Sequence, residues 1–123
     1  MNWEHTENEI ARLLLKKFGY EVQKPDWLCE KDGEFVCFEI KEKSEPFGPP
    51  PFYGHGLDLR QLYLRERLRK FGIRTILLIF DNKDKKIYHQ YLDVLESKDK
   101  HDTPHGIRVY PLESFNVLEV ERI

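Results

Sequence analysis

Apolar and polar positions divide the chain into a few elements. Ile10, Leu13, Leu14 and Phe18 recur at helical spacing behind Thr6 and Glu9, which have the spacing of a capping box, and Gly19 follows as a stop signal. Residues 20–22 read as a short extended piece leading to Lys24-Pro25-Asp26, where proline breaks any helix. Asp32-Gly33 is a strong hairpin-turn signal, and it separates residues 26–31 from the β-rich stretch 34–41. Residues 44–56, SEPFGPPPFYGHG, are too rich in proline and glycine for a helix or a central strand, and their aromatics indicate an ordered loop. A second helix is predicted over 57–71, with Leu57, Leu64, Leu68 and Phe71 on one stripe and Gly72 at its end. Residues 74–80 form a continuous apolar run, the pattern of a strand covered on both faces. Further on, 87–92 reads as a strand or the approach to a helix, 97–105 as a polar loop, 107–110 as a last strand and 112–118 as a short closing helix. This order predicts an α/β fold in which helices flank a mixed central β-sheet.

Composition narrows the class. With 123 residues, 40% hydrophobic and 34% charged, the chain is expected to be one domain that buries about two-thirds of its unfolded surface and needs neither disulfide nor structural metal. The N-terminus begins polar and the longest apolar run, 75–80, is far too short to cross a bilayer, so a cytosolic protein with free thiols at Cys29 and Cys37 is expected, with no membrane association. Twenty Lys and Arg against 22 Asp and Glu leave a net charge of −2, which excludes a protein that coats nucleic acid indiscriminately. Any contact with nucleic acid must then use a local patch.

The hairpin register follows from its turn. If Asp32 and Gly33 are the two turn residues, Lys31 faces Glu34 and every further pair has numbers adding to 65, which places Asp26 opposite Glu39. Opposed carboxylates on one face lie close enough to grip one divalent cation, and without a counter-ion they repel. Deleting either acid should therefore leave the fold intact or steadier. Lys41, two steps beyond Glu39, points to the same face. Cys29 faces Val36 and Cys37 faces Leu28, so the two thiols are not placed for a disulfide.

Pro25-Asp26 followed by Glu39-Ile40-Lys41 resembles the PD-(D/E)XK signature of the restriction-endonuclease-like nuclease superfamily, and the sequence KPDWLCEKDGEFVCFEIKEK is similar to that pattern throughout. A helix bearing an acid, the hairpin, a second helix and a further core strand extend the resemblance over residues 7–80. The small size also resembles the archaeal Holliday-junction resolvases and the virus-type replication-repair nucleases, without choosing between them. The resemblance implies a restriction-endonuclease-like fold and phosphodiester hydrolysis in DNA. RNA-directed cleavage, or a catalytically silent nucleic-acid-binding or assembly module, remains as an alternative. It further implies that Asp26, Glu39 and the carbonyl of Ile40 bind Mg²⁺ or Mn²⁺, with Lys41 beside the attacking water. Cleavage of a junction would call for two active sites and hence a homodimer.

Other candidates surround this set. Taking Ile10 as origin, Glu7 falls on the apolar side of the first helix and is the expected helix acid, whereas Glu9 belongs to the capping box. Gln61 interrupts the stripe of the second helix, where many superfamily members carry a glutamine that positions substrate or water. The longer Gln-x-x-x-Tyr form is absent, because Arg65 stands at the tyrosine position. In the loop, Phe47, Phe52, Tyr53 and His55 either stack on bases or pack on the core, and His55, between two glycines, could approach the scissile phosphate. Arg60, Arg65, Arg67, Arg69 and Lys70, with Lys83, Lys85 and Lys86, form either a phosphate track or a solvated face. His101 and His105, with no cysteine pair beside them, are expected on solvated surface.

Overall fold

The computed structural model describes residues 3–48 and 53–119, with side chains from residue 7 onward. Helix α1 (Trp3–Lys17) begins three residues before Thr6, which therefore lies inside the helix and is not its cap. Its stripe of Ile10, Leu13, Leu14 and Phe18 is 47–70% exposed, so α1 adds little to the core. Strands β1 (Trp27–Lys31) and β2 (Glu34–Lys43) form the expected hairpin, with Lys31 opposite Glu34 and Trp27 opposite Phe38. Asp32 and Gly33 adopt φ of 53° and 82°, the two positive values that a two-residue turn matching the strand twist requires. Cys29 and Cys37 are both free thiols.

Strand β3 (Gly54–Asp58) and helix α2 (Leu59–Arg69) follow. The second helix thus starts at Leu59, not Leu57, because Asp58 caps it by accepting the backbone N–H groups of Arg60 and Gln61. The last part of the predicted loop is strand because a later strand of the chain runs against it: a Cβ at Gly54 would collide with the carbonyl of Tyr110, and one at Gly56 with that of Arg108. These glycines admit close strand packing.

Strand β4 (Arg74–Asp81) pairs parallel with β2, after which come β5 (Lys86–Tyr91), the short helix α3 (Leu92–Glu96), β6 (His101–Asp102), β7 (Ile107–Pro111) and β8 (Asn116–Glu119). The expected closing helix shrinks to one 3₁₀ turn, Leu112–Ser114, and the residues after it pair with β5. The main mixed sheet has the order β1-β2-β4-β5-β8, and a smaller antiparallel sheet the order β3-β7-β6.

The core lies on one side of the main sheet, where Leu77 and Ile79 of β4 meet Leu57, Leu62, Leu92, Leu95, Tyr110 and Phe115. Along β4 the residues alternate: Thr75, Leu77, Ile79 and Asp81 are buried, whereas Arg74, Ile76, Leu78 and Phe80 are half-buried. The apolar run is therefore closed on one face only, contrary to the pattern expected of it. Arg108 on β7 fastens the small sheet to α3 by pairing with Glu96 and also pairs with Asp102 on the adjacent strand β6, and the Tyr110 hydroxyl donates to Glu96 at 3.0 Å.

Candidate active site

Asp26 immediately precedes β1, and the pairing of Trp27 with Phe38 carries it opposite Glu39. Its Oδ2 accepts the backbone N–H of Ile40 at 2.8 Å, which fixes both the carboxylate and the Ile40 peptide. Glu39 belongs to the inward set of β2 with Cys37 and is 1% exposed. Two residues on, Lys41 donates from Nζ to Oε1 of Gln61 at 3.1 Å, so the first turn of α2 orients the ammonium. Sequence-distant elements thus bring Asp26, Glu39, Lys41 and Gln61 to one end of the hairpin.

One more residue, from α2, completes the group. Arg65, expected on the exposed side of α2 as part of either a phosphate track or a solvated face, is 3% exposed, with Nη1 3.4 Å from Oε1 of Glu39. The cause is helical geometry: Gln61 and Arg65 are four apart and share a face, so the turn that brings Gln61 to Lys41 also carries Arg65 to Glu39. That spacing was the signal available in the sequence.

Burial pushes the Glu39 carboxyl up to about 6; Arg65 opposes the rise, and the adjacent Asp26 carboxyl adds to it. Glu39 Oε2 is buried without a hydrogen-bond partner. Two adjacent carboxylates, one with a bare buried oxygen, are a donor set suited to a hard cation. Mg²⁺ is commonly held by only one or two carboxylates, with waters and phosphate oxygens completing its shell. Among the described residues no third His, Cys, Asp or Glu joins them.

No protein-family model matches the chain, and no curated protein matches it. Among solved structures, that of Hjc, a Holliday junction resolvase from the archaeal hyperthermophile Archaeoglobus fulgidus, is similar over 94% of this chain and 97% of that one, with a TM-score of 0.50 and 15% identity. The fold is restriction-endonuclease-like.

Within this restriction-endonuclease-like frame several expected residues stand elsewhere. Glu7 is exposed on α1 and does not join Asp26 and Glu39. Its place on the apolar side of the helix does not carry it inward, because that stripe is itself exposed. His55 is wholly buried: Nε2 lies 3.0 Å from Asp81 Oδ2, and the ring packs beside Tyr88 and Phe115. A carboxylate can only accept, so Nε2 carries the proton. Burial holds the His55 pKa below its ordinary value against the pull of Asp81. The ring has no surface to offer a polynucleotide, and the glycines expected to expose it instead let β7 close over it.

The surface candidates divide. Tyr53 is half-exposed at the start of β3, Phe47 lies under the Lys43 ammonium, and Phe52 lies outside the described residues. Arg67 pairs with Glu21 at 3.1 Å and lies over the Tyr63 ring, and Arg69 pairs with Glu66. Arg60 and Lys70 are exposed. The basic row is thus not one continuous track. His101 and His105 are both exposed, as expected.

Proposed function

We propose that the protein is a metal-dependent endonuclease hydrolysing phosphodiester bonds in DNA, branched or junction DNA being the form suggested by the resolvase whose fold it shares. The observation that carries this reading is the meeting of Asp26, Glu39 and Lys41 at one end of the β1–β2 hairpin, with Gln61 holding the lysine. Asp26, Glu39 and the Ile40 carbonyl would hold Mg²⁺ or Mn²⁺, which when bound polarises a phosphate oxygen and lowers the pKa of a bound water. The Asp26 hydrogen bond to Ile40 N–H holds that peptide in place. Lys41 commits one of its three donors to Gln61 and keeps two for the attacking water and the scissile phosphate. Its charge also balances the acidic pair. Cutting both strands of a junction would require two copies of the chain.

The test is incubation of labelled branched, linear and single-stranded DNA in Mg²⁺, Mn²⁺ or EDTA. Cleavage should need the divalent cation, and undiminished cleavage in EDTA refutes the reading. Because Arg65 already supplies a counter-charge to Glu39, a second reading is a silent nucleic-acid-binding module. It would show as binding without cleavage in every arm.

A further inference from the structure

Beside the carboxylate pair lies a cavity of about 380 Å³, bordered by α1, the segment before β1 and α2. Its charged lining is one-sided. Arg12, Lys24, Arg60 and Arg65 contribute four cationic groups against the single carboxylate of Glu39. Among the described residues no carboxylate pairs with Arg12, Lys24 or Arg60, although carboxylates elsewhere engage Arg67, Arg69, Arg74 and Arg108. The innermost cation is also incompletely satisfied: Arg65 is 3% exposed, and its Nε and Nη1 have no hydrogen-bond partner. Nη1 meets Glu39 only as an ion pair at 3.4 Å, and a buried guanidinium whose donors make no hydrogen bond is costly unless something accepts from them. The planar fork of arginine matches the paired oxygens of a phosphate, and the volume falls in the range of sites that enclose small organic ligands.

We propose that this cavity binds a phosphate group of the substrate strand, next to the scissile one, with Arg65 as its deepest contact and Arg12, Lys24 and Arg60 around its mouth. The proposal rests on the nuclease reading and names what that site holds besides the reacting bond. It also gives Arg65 two partners. With Asp26 and Glu39 free of metal, the charge of Arg65 is spent on Glu39. A divalent cation on those acids takes over that role, and Arg65 turns its full charge to the phosphate. Metal and phosphate should therefore bind cooperatively, and by linkage each should raise the affinity of the other equally.

The experiment measures binding of short deoxynucleotides by calorimetry with and without Ca²⁺, used in place of Mg²⁺ to avoid turnover. The probes are a dinucleotide with a 5′-terminal phosphate, the same dinucleotide without it, and an unphosphorylated trinucleotide. Preference for the first means a terminal phosphate fills the cavity. Equal binding of the first and third, with the second weaker, means a backbone diester does. Either result supports the proposal. Arg65→Met should weaken binding about 10–100-fold, the value of a charge-assisted contact, and should abolish the gain from Ca²⁺, expected to be at least about 5-fold. Should Arg65→Met fail to fold, the double variant R12A/R60A, which alters only exposed side chains, should weaken binding of the same probes in both metal conditions. Affinity unchanged in these variants, or independent of phosphate, overturns the proposal. Cleavage is scored separately. A protein that cuts DNA but binds phosphate independently of Arg65 refutes the pocket alone, whereas phosphate binding through Arg65 without any cleavage supports the pocket and refutes the nuclease.

Discussion

Removing Glu39 should unfold the protein more readily, although opposed acids suggested the reverse. Glu39→Ala takes away a carboxylate whose neighbour, Arg65, is as deeply buried, both side chains being 2% exposed. At 3.4 Å, two unit charges attract by about 5 kcal/mol at an effective dielectric constant of about 20. Much of that is consumed by desolvation, as the rise of the Glu39 pKa to about 6 beside a guanidinium attests. The pair as a whole therefore contributes little. Breaking it is another matter, because a guanidinium cannot shed its proton, and an uncompensated buried charge costs about 3–5 kcal/mol. Water entering from the adjoining cavity sets the loss near the low end, about 3 kcal/mol. In urea, with m of about 1–2 kcal/mol/M for a small domain, the midpoint should fall by about 1.5–3 M. The control is E39L/R65M, which replaces both charges by apolar groups and should recover to within about 1 kcal/mol of the parent. A midpoint unchanged in Glu39→Ala, or a double variant as unstable as the single one, refutes the reasoning.

Asp26→Ala should abolish cleavage while changing stability by less than about 1 kcal/mol, since the lost hydrogen bond to Ile40 is exposed and relief of repulsion at Glu39 offsets it; cleavage assays and urea midpoints on one preparation check both halves. Gln61→Ala leaves Lys41 without its holder and should lower kcat about 10-fold, a hydrogen bond's worth, with KM little moved. His55 should make stability depend on pH: its folded pKa lies below 6.5, so the contribution is complete above about pH 6.5 and declines as pH falls, when only the unfolded chain takes up a proton. Glu39, whose folded pKa is raised, acts with the opposite sign between about pH 4.5 and 6, so the quantity to compare is the change in urea midpoint from pH 7.5 to 5 in the parent and in His55→Gln; an identical change in both would show that His55 is not the titrating group.

The hairpin and its register were legible because a two-residue Asp-Gly turn leaves one alignment, and the opposition of Asp26 and Glu39 followed from counting. Local rules also located α2, β4 and β7 to within a few residues. What failed was whatever depended on a distant partner. Gly54 and Gly56 read as breakers because β7, which presses on them, lies some fifty residues away in sequence. Glu7 falls inward on a helical wheel because an apolar stripe does not reveal whether anything covers it. Arg65 goes outward when it is grouped with the basic row of the second helix, although Gln61 one turn earlier shares its face.

The parallel pairing of β2 with β4 has a consequence for the order in which the site comes into being. Asp26 and Glu39 meet within a hairpin whose strands are neighbours in sequence, and such contacts close within microseconds. Lys41 and Arg65 gain their partners only when the crossover through β3 and α2 has docked, a longer loop to close. On a ribosome the acids therefore emerge and can come face to face before Arg65 has left the exit tunnel to balance them. The nascent hairpin is at that stage a cluster of negative charge with a turn at its tip. Its pairing gains strength when α2 arrives with the cations, so the charges of the site and the docking of the second helix belong to one cooperative step of folding.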